Sequence, residues 1–134
     1  MPTIPKLEHP LQDELVALRL AAERDIPEVL IAHQDDPGLN EQLGLTRPPS
    51  GAELGRQMEQ AQEDRVSGRR VTLTILKPGS EQFLGQIEVG EIDWDSRRAA
   101  LVVWVVPRAR GGGLEGAALS LATRWLSEEC GLDA

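Results

Sequence analysis

Tyrosine is absent from these 134 residues, and phenylalanine and cysteine occur once each. With Cys130 alone, no internal disulfide can form, and a reducing, cytoplasmic setting fits. Cys130 lies near the C-terminus of an expected helix, where the dipole disfavours a thiolate, so it reads as a packed or idle thiol. Two distant histidines and one cysteine cannot build a zinc site, and no metal site is expected. The G-x-S-x-G turn and any recognisable Ser-His-Asp set are missing, which removes the common hydrolase reading. The longest apolar run, residues 99–106, is too short to span a bilayer, so no membrane partner is expected. Residues 1–10 carry no basic start, apolar stretch or cleavage pattern of a secretory signal. Basic charge is also scarce. Fourteen Lys and Arg face 22 Asp and Glu, a net charge of −8, which argues against a nucleic-acid partner and mildly favours cationic acceptors such as amines.

The rest of the composition is that of an ordinary globular domain, 40% hydrophobic and 27% charged, and one domain is expected. Residues 1–14, with several prolines and little pattern, read as an extended lead-in, and residues 15–134 as the domain. Residues 15–21 read as a first strand. Asp25 then looks like an N-cap, with Pro27 tolerated in the first turn and Ile26, Val29 and Leu30 forming an apolar face. That helix should end near His33, before a turn at residues 35–38 that explains Asp35 and Asp36 without function. His33 has the intrinsic pKa of a general base, but a surface histidine at a helix end is the plainer reading. Residues 39–49 read as irregular. Ser50 and Glu53 form a capping box for a helix to about Val66, with Leu54, Met58, Ala61 and Arg65 on one face, ended by Gly68.

Residues 71–76 and 83–92 read as strands, and residues 93–96 as a hairpin connection. Residues 97–106 form a third strand, β-branched and apolar enough from Ala99 onward to read as buried on both faces. Pro107 stops it. Gly111, Gly112 and Gly113 follow Arg108 and Arg110, and then Leu114, Ala117, Ala118, Leu121, Ala122 and Trp125 recur at helical spacing to about Cys130, with Gly131 as C-cap. Such a strand, basic glycine turn and helix aim free backbone N–H groups at an anion, most often a phosphate. The expected fold is α+β, or mixed α/β: strand, helix, helix, a three-strand antiparallel meander, helix. Trp94, Trp104 and Trp125 read as packing residues. With Ile87 and Val89 inward, Glu88 faces the opposite side; it and Glu91 read as exposed strand carboxylates, with general-base work as the sharper alternative.

These residues together resemble the GCN5-related N-acetyltransferase (GNAT) family, and within it the branch of ribosomal-protein N-terminal acetyltransferases. The resemblance spans residues 15–134. It is carried by Leu18-Arg-Leu20 before Asp25-Ile-Pro27, by Gly85-Gln-Ile87 before Ile92-Asp93, and by Ala99 and Trp104-Val-Val-Pro107 leading into Arg110-Gly-Gly-Gly113. It implies an acetyl-CoA cosubstrate whose diphosphate lies on the amides of an R-x-x-G-x-[GA] turn. That assigns Arg110, Gly111, Gly112, Gly113 and Leu114 to the cofactor, and the backbone near Val105 and Val106 to its pantetheine arm. The implied reaction transfers acetyl to a primary amine, on a small molecule or a protein N-terminus, with Glu88 as candidate catalytic base.

Three departures stand out. Glu115 occupies the last motif position, although starting the motif at Arg108 restores a formal match. Ala99-Ala100 replaces the branch's Ala-Glu, and no tyrosine can serve as general acid. The family fold continues with another strand, a helix and a hairpin that this sequence lacks, so the resemblance implies a fragment, or an uncovered strand edge open to a partner or a homodimer. A non-catalytic GNAT-like module completed by a partner chain is the alternative reading.

Overall fold

The computed structural model describes residues 2–134. One five-stranded antiparallel sheet carries the fold: β1 (Leu11–Gln12), β2 (Ala17–Leu20), β3 (Val71–Leu76), β4 (Phe83–Asp93) and β5 (Arg98–Val105), in that spatial order. Between β2 and β3 run α1 (Ile26–Asp35), α2 (Gly38–Gln42) and α3 (Gly51–Val66); after β5 comes α4 (Leu114–Trp125), continued by a π-helical turn at Leu126–Cys130.

The strand registers sort side chains onto two faces. Leu18, Leu73, Ile75, Ile87, Val89 and Val105 point to the back, where Ala118, Leu121, Ala122, Trp125 and Leu126 bury the apolar stripe of α4 against them. The front carries Arg19, Thr72, Thr74, Gln86, Glu88, Ala100, Val102 and Trp104. Only part of it is covered. Val29, Ala32, Leu39, Phe83, Trp104 and Val106 form a second, smaller core beneath α1 and α2, with Leu54 of α3 at its margin.

The meander and the final helix follow the sequence expectation closely, and Gly131 closes the π turn at φ 67°. The capping box is formed as expected: Ser50 Oγ accepts from Glu53 N at 3.1 Å, and Glu53 Oε1 accepts from Ser50 N at 3.1 Å. Arg47 adds a further bond to Glu53, and these contacts hold that carboxyl at a pKa of about 2. Ser50→Ala removes the acceptor for Glu53 N–H and should lower stability by about 1 kcal/mol in urea denaturation. An unchanged midpoint would mean that tertiary contacts alone hold the start of α3.

Other expectations need correction. The extended lead-in belongs to the core: Ile4 is fully buried, its N–H bonds Arg65 O at 3.0 Å, its carbonyl accepts from Arg65 Nη1 at 2.7 Å, and β1 pairs with β2. Residues 39–42, read as irregular, belong to α2, which starts at Gly38 in the expected turn. Asp25 does not cap α1. Its carboxylate turns inward, accepting from both Nη atoms of Arg19 at 2.8 and 2.9 Å, from Ala22 N at 2.9 Å and from Thr74 Oγ1 at 2.7 Å. The expected double-sided burial of β5 also fails. It is the edge strand, Val102 is 38% exposed on the front, and Leu101 and Val103 are half-buried.

Gly85 has a specific structural reason. A Cβ there would lie 2.0 Å from Trp104 O, so β4 and β5 approach at this point only because no side chain intervenes.

Candidate functional site

The end of β5 is where the fold presents unused polar groups. Val106 N–H bonds Leu84 O at 2.8 Å, and the Val106 carbonyl accepts from Ala109 N at 2.9 Å in the single turn Pro107–Ala109. Arg108 Nη2 reaches back to Phe83 O at 3.1 Å and ties that turn to β4. Arg110 N still bonds Pro107 O. From there the bonding stops. Among the described residues, the amides of Gly111, Gly112, Gly113, Leu114, Glu115 and Gly116 have no acceptor in the protein; the first helical bond of α4 runs from Ala117 N to Gly113 O at 3.1 Å. Gly111 and Gly113 hold φ of +86° and +78°, the left-handed region that glycine alone enters cheaply. A Cβ on Gly111, Gly112 or Gly113 would meet nothing within 4 Å. The glycines are therefore not explained by crowding, and the turn opens directly on solvent.

Six free N–H groups at the positive end of a helix form a donor set suited to an anion. The arrangement fits the diphosphate that the sequence resemblance implies. Glu115 stands half-buried in the first turn and does not cap it, since Gly113 makes no side-chain cap. Arg110, about 43% exposed, pairs with Asp36 at the end of α1.

The free edge of β5 continues the site. Val103 O accepts from Gln42 Nε2 at 2.9 Å on the outer side, whereas Val106 N bonds inward to Leu84. Alternation along the strand therefore turns the N–H and C=O of Val105 outward, unpaired. Of the two residues expected to pair with a pantetheine arm, Val105 has free groups and Val106 has none. At the other end of this edge, Ala99 N bonds Asp133 O at 2.9 Å and Asp133 N bonds Arg97 O at 2.8 Å, a short parallel bridge.

On the front face one strand inward stands Glu88, between Thr72 and Val102. Its side chain reaches solvent, but the protein packed around it raises its pKa by desolvation, against the opposing charges of Arg70 and His33. Beside Glu88, Gly90 pairs with Ala100, so the neighbouring position on this face carries almost no side chain. From Val102 to Val105 along β5 is about 10 Å. Glu91 lies outside this floor, at the irregular stretch after Gly90 with φ 48°.

His33 is not at the surface. It is buried, its Nδ1 lies 2.7 Å from Asn40 Oδ1, and its ring centroid is 6.4 Å from that of Trp104. Nothing local in the sequence announces this, because the partner is Asn40, seven residues on, in a helix too short to show a period. The same holds for Asp36 and Gln42, which reach the site from α2 and its approach. Cys130, the last residue of the π turn, is half-buried against the main core, its thiol pKa pushed up by burial and by Glu129. No described helix is long and apolar enough to cross a membrane. No cluster of three or more metal-ligating side chains occurs among the described residues.

The five-stranded antiparallel sheet with its helices matches the fold of the GNAT acetyltransferases. No protein-family model and no curated relative matches the sequence. The likeness is carried by solved structures. An acetyltransferase from Salmonella typhimurium that modifies the N-terminal serine of a ribosomal subunit protein superposes with a TM-score of 0.78 at 14% identity, over 92% of this chain and 71% of its own. A ribosomal α-N-protein acetyltransferase solved with coenzyme A gives 0.77 at 15% identity, over 92% and 71%. A Vibrio cholerae spermidine N-acetyltransferase, solved with coenzyme A and spermine, gives 0.75 at 15% identity, over 90% and 68%. At these identities the comparisons establish the fold.

Proposed function

We propose that the chain binds acetyl-CoA and transfers its acetyl group to a primary amine, on a small molecule or a protein N-terminus. The observation that carries the proposal is the run of unbonded amides from Gly111 to Gly116 at the mouth of α4. A diphosphate supplies the acceptors those donors lack, and Arg110 adds a cation at the same place. The outward N–H and C=O of Val105 provide one strand-like pairing for a pantetheine amide. Bound there, acetyl-CoA would supply an activated acyl carbonyl.

The chain's own work is then binding, orientation and proton removal. An amine arrives protonated at neutral pH and must lose a proton before it can attack. Glu88, whose pKa is raised by desolvation, is the carboxyl placed to accept that proton on a carboxylate oxygen. The small side chains of the Gly90–Ala100 pair leave room for the acceptor's substituent on the same face. The overall negative charge of −8 favours the approach of a cationic acceptor. Related folds include enzymes that act on a ribosomal-protein N-terminus and on spermidine, which sets the range of acceptors worth testing first.

Isothermal titration with acetyl-CoA should give saturable one-to-one binding, and a panel of N-terminal peptides and polyamines should include a substrate that gains acetyl. Absence of heat at millimolar acetyl-CoA would end this reading.

A further inference from the structure

Two side chains at the ends of the α2 segment hold groups that the proposed cofactor groove needs. Asp36, which closes α1, accepts from Arg110 Nη2. Gln42, the last residue of α2, donates from Nε2 to Val103 O at 2.9 Å. The first is an anion on the arginine at the mouth of the glycine turn. The second is an amide N–H on the outer edge of β5. A diphosphate followed by a pantetheine amide offers the same two functions. The segment between them is well anchored: Leu39 is buried, Asn40 holds His33 at 2.7 Å, and Leu45 N bonds Asn40 O at 2.7 Å.

We infer that Asp36 and Gln42 are built-in stand-ins for the ligand, occupying its polar partners in the free protein and giving way when it binds. The inference rests on the acetyl-CoA reading. The backbone of α2 keeps its place through Leu39 and Asn40, and only the two side chains swing away. Binding must then break both contacts, so the free protein binds more weakly than its open groove alone would. Each stand-in lies on a different part of the ligand, so their effects separate by probe. A simple orienting role for Asp36 predicts the opposite sign, because losing it would loosen Arg110 and weaken binding.

The test is a set of NMR titrations on wild type, Asp36→Asn, Gln42→Ala, the double variant and the control Asp35→Asn. Asp35 is an exposed neighbour that makes no bond to Arg110. The probes are coenzyme A, inorganic pyrophosphate and pantetheine, and the same spectra report that each variant is folded. Asp36→Asn should tighten pyrophosphate and coenzyme A by about 5-fold or more and leave pantetheine unchanged. Gln42→Ala should tighten pantetheine and coenzyme A and leave pyrophosphate unchanged. The double variant should approach the product of the two effects on coenzyme A, and the control should match wild type. Equal or weaker binding by the variants, a uniform change across all three probes, or an equal gain in the control would overturn the inference while leaving the cofactor reading intact. Failure of wild type and double variant alike to bind any probe would overturn both.

Discussion

Gly112→Asp should leave the protein folded and reduce its affinity for coenzyme A by about 10-fold or more. The backbone at Gly112 is not in the left-handed region, and a Cβ there meets no atom within 4 Å, so a side chain costs the fold little. An exposed substitution of this kind changes stability by only about 0.5 kcal/mol. The effect on a diphosphate is of another size. The new carboxylate stands among six unbonded amides and repels the ligand at a few ångströms, by about 1–4 kcal/mol at the dielectric of a protein surface. It also offers those amides an acceptor of its own, and so competes for the donors the ligand needs. Gly112→Ala separates the two effects, since it adds bulk without charge and should cost less. Calorimetric titration with coenzyme A, alongside thermal melting, checks both. Unchanged affinity in Gly112→Asp would move the diphosphate away from this turn.

Asp25→Ala should cost about 3–5 kcal/mol, enough to unfold much of a domain whose total stability is of order 5–15 kcal/mol. Asp25 is buried, and the side chain of its partner Arg19 is only 13% exposed. Truncating the carboxylate strands that guanidinium and leaves Ala22 N–H and the Thr74 hydroxyl without their acceptor, and Gln86, which bonds Thr74 in turn, loses its support. The same network predicts a pH dependence. Burial pushes the Asp25 carboxyl up, but the bonds from Arg19, Thr74 and Ala22, with the charge of Arg19, outweigh it and lower the pKa below 3.8. A lowered folded-state pKa means stability fully present above the unfolded value and lost as pH falls through the folded one. Urea midpoints should therefore hold down to about pH 4 and then fall in wild type. Asp25→Asn should be destabilised throughout and fall less steeply in acid, the remaining limb coming from other lowered carboxyls such as Glu53. An Asp25→Ala protein as stable as wild type would mean that water reaches Arg19.

What the sequence made legible was local. The Ser50–Glu53 box closes over three residues, and a glycine run after Pro107 announces both the end of β5 and the start of α4, so these elements stand where the pattern put them. The conformation of the turn was legible for the same reason, since Gly111 and Gly113 supply the positive φ it requires. What was not legible depends on contacts distant in sequence. Asp25 has the spacing of an N-cap, and only the fold brings Thr74 to its carboxylate. His33 ends an apolar face and reads as exposed until Asn40 folds over it. An apolar run says that a strand can be buried, not that anything covers it, and β5, apolar as it is, lies at an edge. For Glu88 the alternation gave the face, and the desolvation comes from the surrounding fold.

The contact of Gly85 with the Trp104 carbonyl has a dynamic consequence. Two backbones meeting without a side chain between them leave little slack, and the Val106–Leu84 bond fastens the same spot. The donor run after Arg110 thus hangs from a stiff post rather than from a floppy connector. Little backbone ordering is left to be done when a ligand docks, so the entropic toll on the main chain should be small.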